Sequence, residues 1–405
     1  MKQRSARPRR AQKEPDLRES PARLPESEKL AWLRLIRTPH VGVLTFWDLL
    51  SHFGSASAAL EALPEFAKFG SRVTAPSIPA VAAAEAELEK AASAGMTLFA
   101  AHESGYPPLL AKIEAPPPLL YAKGRTGIWG RPPVAVVGSR NASAAGLKFA
   151  ATISAGLGGK GFLIVSGLAR GIDGAAHRAS VASGTCAVLP GGLDAIYPPE
   201  HKTLAADITE NGVLVSECPP GFVARAQDFP RRNRIISGAS LGVVVVEAAE
   251  RSGSLITARL AGEQSREVFA VPGHPFEARA AGTNRLLKDG AVFTTCAGDV
   301  EEALQALLKA WDRQDVIPVA SGERNGGSAD RSDGPLSLSQ AAADFAFLGD
   351  TISDVEKLLS LAPIDIDDLC RLSGLEARHV HAALTSLDLA GRIDRRGARM
   401  VALRP

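Results

Sequence analysis

The sequence predicts an α/β fold built on a doubly wound, mainly parallel sheet, and three observations point to it. Short apolar runs alternate with helical segments between residues 131 and 308, at 134–137, 163–166, 186–189, 213–216, 242–246, 268–271 and 291–294. Strands that alternate with helices in this way build a parallel sheet covered on both faces. Val243, Val244, Val245 and Val246 are β-branched and apolar in succession, the composition of a strand buried on both sides. The first runs stop at glycine-rich turns that carry arginine: Gly138-Ser139-Arg140, then Gly167 and Gly171 around Arg170. A strand, a glycine turn and a helix cradle phosphate in doubly wound proteins, outside the C-terminal ends of the strands. Neither turn spells G-x-G-x-x-G, so the sheet reads as Rossmann-like without the dinucleotide fingerprint.

The flanking segments follow in order. Residues 1–28 hold Lys2, Arg4, Arg7, Arg9, Arg10 and Lys13 before the first acid, Glu14. Few large apolar residues come before Leu30, so a disordered basic tail is expected. Residues 29–100 read as short helices. Within them RTPHVGVLTFWDLLSHFGSASAAL places a Val-Gly turn between helical stretches, a pattern similar to a helix-hairpin-helix or SAM-like module. Such a hairpin offers amides to DNA phosphates or serves as a packing unit. With no basic residue in the 39–42 turn, packing is the reading preferred here.

Residues 101–312 form the expected Rossmann-like domain. Its opening, HESGYPPLLAKIEAPPPLLYAKGR, is a proline-rich connector that lays an edge strand at 119–122. Residues 313–350 contain SGERNGGSADRSDGP, a flexible polar linker. In residues 351–405, Val380, Leu384 and Leu387 share a helical face, Gly391 ends that helix, and RIDRRGARMVAL gives two short strands around Arg396-Gly397. Three helices and a β-wing make a winged-helix pattern. Its third helix, 375–390, carries Glu376, Arg378, His379, His381 and Asp388 and is nearly neutral. A groove reader needs several basic and amide side chains there, so this module is expected to contact protein and to move independently on its linker.

Composition narrows the function classes. At 405 residues the chain is long enough for several cores. Aromatics are 5% and the net charge is +2, so any nucleic-acid surface must be local. Cys186, Cys218, Cys296 and Cys370 form no C-x-x-C; buried free thiols in a reducing compartment are expected. No apolar run reaches membrane-spanning length, and the basic start is not followed by an apolar signal core. A cytoplasmic protein is the expectation.

The turns after successive strands carry the polar chemistry. If the sheet is doubly wound, Arg140, Arg170, Arg231, Arg232, Arg234, Arg285 and Lys288 converge on one rim. No acid interrupts 229–246, although Asp173, Asp194, Glu217 or Glu247 could pair with some of these arginines. Gathered cations in a near-neutral chain suit a polyanion. Ser254 opens a helix after Ser252-Gly253, where its hydroxyl suits a phosphate. Catalytic candidates are poor. His177 reads as structural, His201 and His274 are isolated, and neither H-x-x-x-H nor a Cys/His cluster offers a metal site. There is no Walker A. No cofactor is expected.

Taken together, the strings VVGSRNAS, VSGLARGIDGAAH, LPGGLDAIYPPEH, SECPPG, FPRRNRIISG, VVVVEAAERSGSLITARLA, REVFAVPG and GTNRLLKDGA resemble, in order, the DNA-processing protein A family, DprA or Smf. The resemblance implies a homodimer without catalytic activity that binds incoming single-stranded DNA during natural transformation and loads RecA onto it. It places DNA contacts at Ser139, Arg140, Arg170, Arg231, Arg232, Asn233, Arg234, Thr283, Asn284 and Lys288. Backbone approaches fall at Gly138, Gly167, Gly191, Gly192 and Gly253. Some relatives carry an aromatic within the Arg-Arg-Asn string; Arg234 stands at that place here, so a guanidinium plane would stack instead. The alternative is a nucleotide-processing enzyme similar to the phosphoribohydrolases. Those follow Pro-Gly-Gly with Gly-Thr and a catalytic Glu, whereas Leu193, Asp194, Ala195, Ile196 and Tyr197 follow it here.

Overall fold

A computed structural model of the chain describes residues 23–69, 77–313, 351–397 and 399–404. Four helices open it: α1 (Glu26–Arg37), α2 (Val43–Phe53), α3 (Ala56–Phe69) and α4 (Val81–Ser93). Glutamates in the first turn of α1 and arginines in its last complement the helix dipole. The Glu28 carboxylate accepts from Ala56 N at 2.6 Å and Ser57 Oγ at 2.7 Å, capping α3. Trp32, Phe46 and Trp47 meet edge to face, with centroids 5.1–5.4 Å apart. Residues 26–28, expected in the tail, are the first turn of α1. Residues 1–22 and 314–350, with the rest of the expected tail and nearly all of the expected linker, lie outside the described residues.

The sheet has nine strands: β1 (Thr97–Ala100), β2 (Leu119–Gly124), β3 (Pro133–Val137), β4 (Leu163–Ser166), β5 (Thr185–Val188), β6 (Val213–Ser216), β7 (Gly242–Val245), β8 (Glu267–Ala270) and β9 (Val292–Phe293). Their order is β1-β2-β6-β5-β4-β3-β7-β8-β9. All neighbours from β6 to β9 are parallel; β2 and β1 are added antiparallel beyond β6. The segment at 119–122 is therefore an interior strand, not an edge. Thr97–Ala100, expected within the helical region, takes the edge.

Helices α5 (Ala144–Gly159), α6 (Ile172–Ser180), α7 (Lys202–Asn211), α8 (Asp228–Gly238), α9 (Gly253–Glu263), α10 (Ala281–Lys288), α11 (Ala297–Ala303) and α12 (Gln305–Asp312) complete the domain. Val134 and Val136 face one hydrophobic cluster and Ala135 and Val137 the other, so β3 is buried on both sides. The chain runs from β3 to β4 in one direction across the sheet and from β7 to β8 in the other. Because β3 and β7 are neighbours, the switch-point crevice opens at their C-terminal ends.

The last module holds a helix α13 at 351–358, β10 (Ile364–Asp365), α14 (Ile366–Ser373), α15 (Ala377–Leu389), β11 (Ile393–Arg396) and β12 (Met400–Leu403). It does not stand apart. Helix α15 packs on α2, and Thr45 Oγ1 donates to Asp388 at 2.5 Å. The expected independence gives way to a docked arrangement, because α15 has an apolar side to spare beyond its own module's core. No helix among the described residues is long and apolar enough to cross a membrane.

Candidate nucleic-acid interface

Two turns flank the crevice. After β3, Gly138 sits so close to Ile172 that a Cβ would lie 2.7 Å from its Cγ1. Ile172 N donates to Ser139 O at 3.2 Å, and Gly171 needs its φ of 73° for that close approach. Gly138 is thus fixed by packing, while Ser139 and Arg140 reach the surface. Ser139 Oγ accepts from Asn141 N at 3.1 Å. Arg140 is exposed, its guanidinium 4.8 Å from the Phe229 ring centroid. Phe229 in turn meets Tyr197 edge to face at 5.6 Å, and Tyr197 is 49% exposed. Rings with free surface beside a cation are a platform for unpaired bases.

On the β7 side, Ser252 Oγ caps α9, and a Cβ on exposed Gly253 would meet nothing within 4 Å. Ser254 is turned inward and buried, its Oγ 2.7 Å from that of Ser252. The backbone at Gly253 is the open approach; the Ser254 side chain is not. Glu247 accepts from Ser143 N at 3.0 Å and Ser143 Oγ at 2.5 Å, which ties the two turns together.

The arginine string lies on α8, where successive residues are 100° apart, and its members part company. Arg231 is exposed and pairs with Glu217 at 3.0 Å. Asn233 Nδ2 donates to Gly253 O at 3.3 Å, bracing the α9 turn. Arg234 pairs with the same Glu217 and donates to Ala115 O at 3.0 Å. It is held against the connector, so its guanidinium is not a stacking plane. Arg232 is buried; it donates to Gly167 O at 2.7 Å and to Val188 O, and Asp173 stands opposite. Burial pushes its guanidinium down to about 10. Arg232 and Arg234 are therefore structural, contrary to expectation.

Other expected contacts also turn inward. A Cβ on Gly167 would lie 2.2 Å from Arg232 Nη1, and on Gly191 and Gly192 within 2.8 Å of Phe222 O and Pro219 O. These glycines make room for protein, not phosphate. Thr283 is buried and donates to Ala280 O at 3.1 Å. Asn284 clasps Gly273 through both amide atoms. Arg170 is exposed but paired with Glu200, and Arg285 lies 3.6 Å from Asp289. Lys288, at the end of α10, is exposed. The rim is narrower than expected: Ser139, Arg140, Arg231 and Gly253, with Arg170 at one side.

Sequence reasoning missed Phe229 and Tyr197. Their signal was their place inside the strings themselves, one residue before Pro230-Arg231 and at the end of the Pro-Gly-Gly turn; the low aromatic total hid it. Phe276, 94% exposed on the loop after β8, was missed too.

Among the described residues no group of three His, Cys, Asp or Glu is placed to hold a metal. Gly238-Ala239-Ser240-Leu241-Gly242 matches a nucleophile elbow in letters, but it precedes a strand, and buried Ser240 donates to Ile236 O at 2.9 Å. Cys186 is buried, whereas Cys296 is exposed. His177 is buried with Nδ1 2.9 Å from Thr185 Oγ1. Thr185 donates its only hydroxyl proton to Ile164 O, so His177 Nδ1 carries the hydrogen.

Burial, aided by nearby His201 and Arg232, pushes His177 down to about 3, against about 6.5 in an unfolded chain. Below pH 6.5 the unfolded chain binds a proton that the folded chain refuses. Stability from His177 is whole above pH 6.5 and is lost as pH falls toward 3. Burial pushes Asp173 up, but that effect is common to the parent and a His177→Gln variant. The gap between their urea-unfolding free energies is expected to narrow by about 2 kcal/mol from pH 6.5 to 4.5. A constant gap would contradict the burial of a neutral imidazole.

The family profile described as DNA recombination-mediator protein A matches residues 97–305, just over half of the chain. The chain belongs to that family. A profile for a DprA-like N-terminal HHH domain matches residues 26–90, and one for the DprA winged helix domain matches 349–398. The chain is 40% identical to Protein Smf of Escherichia coli over 297 residues, 73% of this chain and 74% of that protein. It is 42% identical to the DNA processing protein DprA of Bacillus subtilis over 232 residues, 56% of this chain and 76% of that one. The crystal structure of DprA from Streptococcus pneumoniae superposes with a TM-score of 0.58 at 30% identity, covering 69% of this chain and 98% of that chain. Family membership gives the chain a role in DNA processing and recombination mediation.

Proposed function

We propose that the chain is a non-enzymatic mediator that holds single-stranded DNA along the sheet rim and delivers it to the RecA recombinase. It would do so as a homodimer in the cytoplasm, protecting DNA taken up during transformation. The observation that carries the reading is exposed Arg140 on the Phe229–Tyr197 ring pair, at the mouth of the switch-point crevice. A cation there meets a phosphate while the rings meet an unpaired base; duplex bases, stacked inside, cannot use the rings. The rim cations read phosphates rather than base edges, so sequence preference should be small.

Glu247 speaks against the enzyme alternative. It is the acid at the crevice, and both of its oxygens accept from Ser143 to hold the helix turn. Self-association has support at the far sheet edge, where two-residue β9 leaves Phe293 60% exposed. Arg140→Ala is expected to weaken single-strand binding and to lower its salt slope by about 0.7 in log–log units, one phosphate. Unchanged affinity and slope, measured by fluorescence anisotropy, would remove the rim as the DNA site.

A further inference from the structure

In winged-helix DNA readers the third helix enters the major groove. Here α15 has another neighbour. It packs along α2, and Ala382, Ala383, Thr385, Ser386 and Leu389 are buried. The junction is polar as well as apolar. Asp48 on α2 accepts from Arg395 Nη1 at 2.7 Å, with Thr385 Oγ1 3.2 Å away. Arg395 Nε lies 3.5 Å from Asp388, which also accepts from Thr45. Two carboxylates, one guanidinium and two hydroxyls fix the register of one module on the other.

Docking has a consequence for the rim. It brings Arg404, just past β12, to a cavity of about 390 Å³. The other walls of that cavity include Val41 and Gly42 of the helical hairpin turn, Arg231 of α8, and the carboxylates of Glu217 and Asp388. Arg231 is the solvent-facing cation of the arginine string, so the rim and the docked module share a wall. Glu217 holds Arg231 at 3.0 Å on the same wall, and the Arg404 charge acts on Asp388; a phosphate reaching both arginines competes with these carboxylates and meets Arg404 here only while the module is docked.

We propose that the winged-helix module is a reversible latch on the helical domain, and that single-stranded DNA closes it. A strand leaving the rim past Arg231 places a phosphate between Arg231 and Arg404, which favours the docked state. The inference rests on the rim being the DNA site. By linkage, docking raises DNA affinity by the factor by which DNA raises docking.

Hydrogen exchange on the full chain, with and without oligothymidine, tests this. DNA is expected to slow exchange at the rim turns, 138–141 and 252–255, and also in α2 and α15. Arg404→Ala should keep the rim slowing and lose that in α2 and α15. Asp48→Ala, which leaves every residue of the winged-helix module in place, should speed exchange in α15 without DNA and weaken DNA binding several-fold. Rim slowing with no change in α2 and α15 of the parent would overturn the latch and leave the rim reading intact. The same holds if Arg404→Ala behaves as the parent. No slowing at the rim turns would overturn the rim reading and the latch with it.

Discussion

Replacing Arg232 with alanine is expected to destabilise the fold by about 3–5 kcal/mol, the cost of leaving two buried carbonyls and a nearby buried carboxylate without their cation. Arg232 is buried beneath the rim, reaches Gly167 O and Val188 O, and faces Asp173. Asp173 accepts backbone N–H from Gly167 and Ala169. Without the guanidinium, a buried carboxylate and two carbonyls lose their cation. Arg231→Ala, one residue away on the exposed side of α8, should change stability by no more than about 0.5 kcal/mol. Urea unfolding separates the two. Arg232→Met with Asp173→Asn removes both charges and should recover part of the loss. An Arg232→Ala chain with the parent's midpoint would place Arg232 in solvent and return it to the list of DNA contacts.

The second large effect concerns binding. Phe229→Ala is expected to weaken single-strand affinity by about 1–3 kcal/mol, roughly 5- to 150-fold, the range for removing one base-stacking ring. Arg140 also loses the ring beneath its guanidinium. Phe229 is half-buried at the start of α8, so alanine could act through packing alone. Phe229→Leu keeps apolar volume and removes the π face. It should therefore bind nearly as poorly as the alanine variant while unfolding near the parent's midpoint. Parent-like affinity in Phe229→Leu would mean that the ring supports Arg140 and does not stack on a base.

Much of the fold was legible because its signals are local. Buried strands read as apolar runs, and the β3 and β7 turns read as glycine, serine and arginine. The site was legible only to the level of the rim. Which arginine faces solvent depends on the helical rotation of α8 and on Glu217, which comes from a different string and takes both Arg231 and Arg234. Arg232 looks like its neighbours in sequence, yet burial and the carbonyls of Gly167 and Val188, from distant strings, make it structural. Strand β1 escaped because four residues after a helix carry little periodicity, and its pairing with β2 is a long-range choice. The docked winged helix escaped for a similar reason. Asp48 and Arg395 are partners from opposite ends of the chain, and no local pattern links them.

The central claim is that the rim reads unpaired strands through their phosphates and exposed bases. Titrating the full chain with a single strand and with the matching duplex, over a range of salt, tests it most directly. The account predicts tighter binding to the single strand at every salt concentration, with similar affinity for strands of different composition and a negative linear dependence of log K on log salt. Equal or tighter duplex binding would contradict it and move the DNA site away from Arg140, Phe229 and Tyr197.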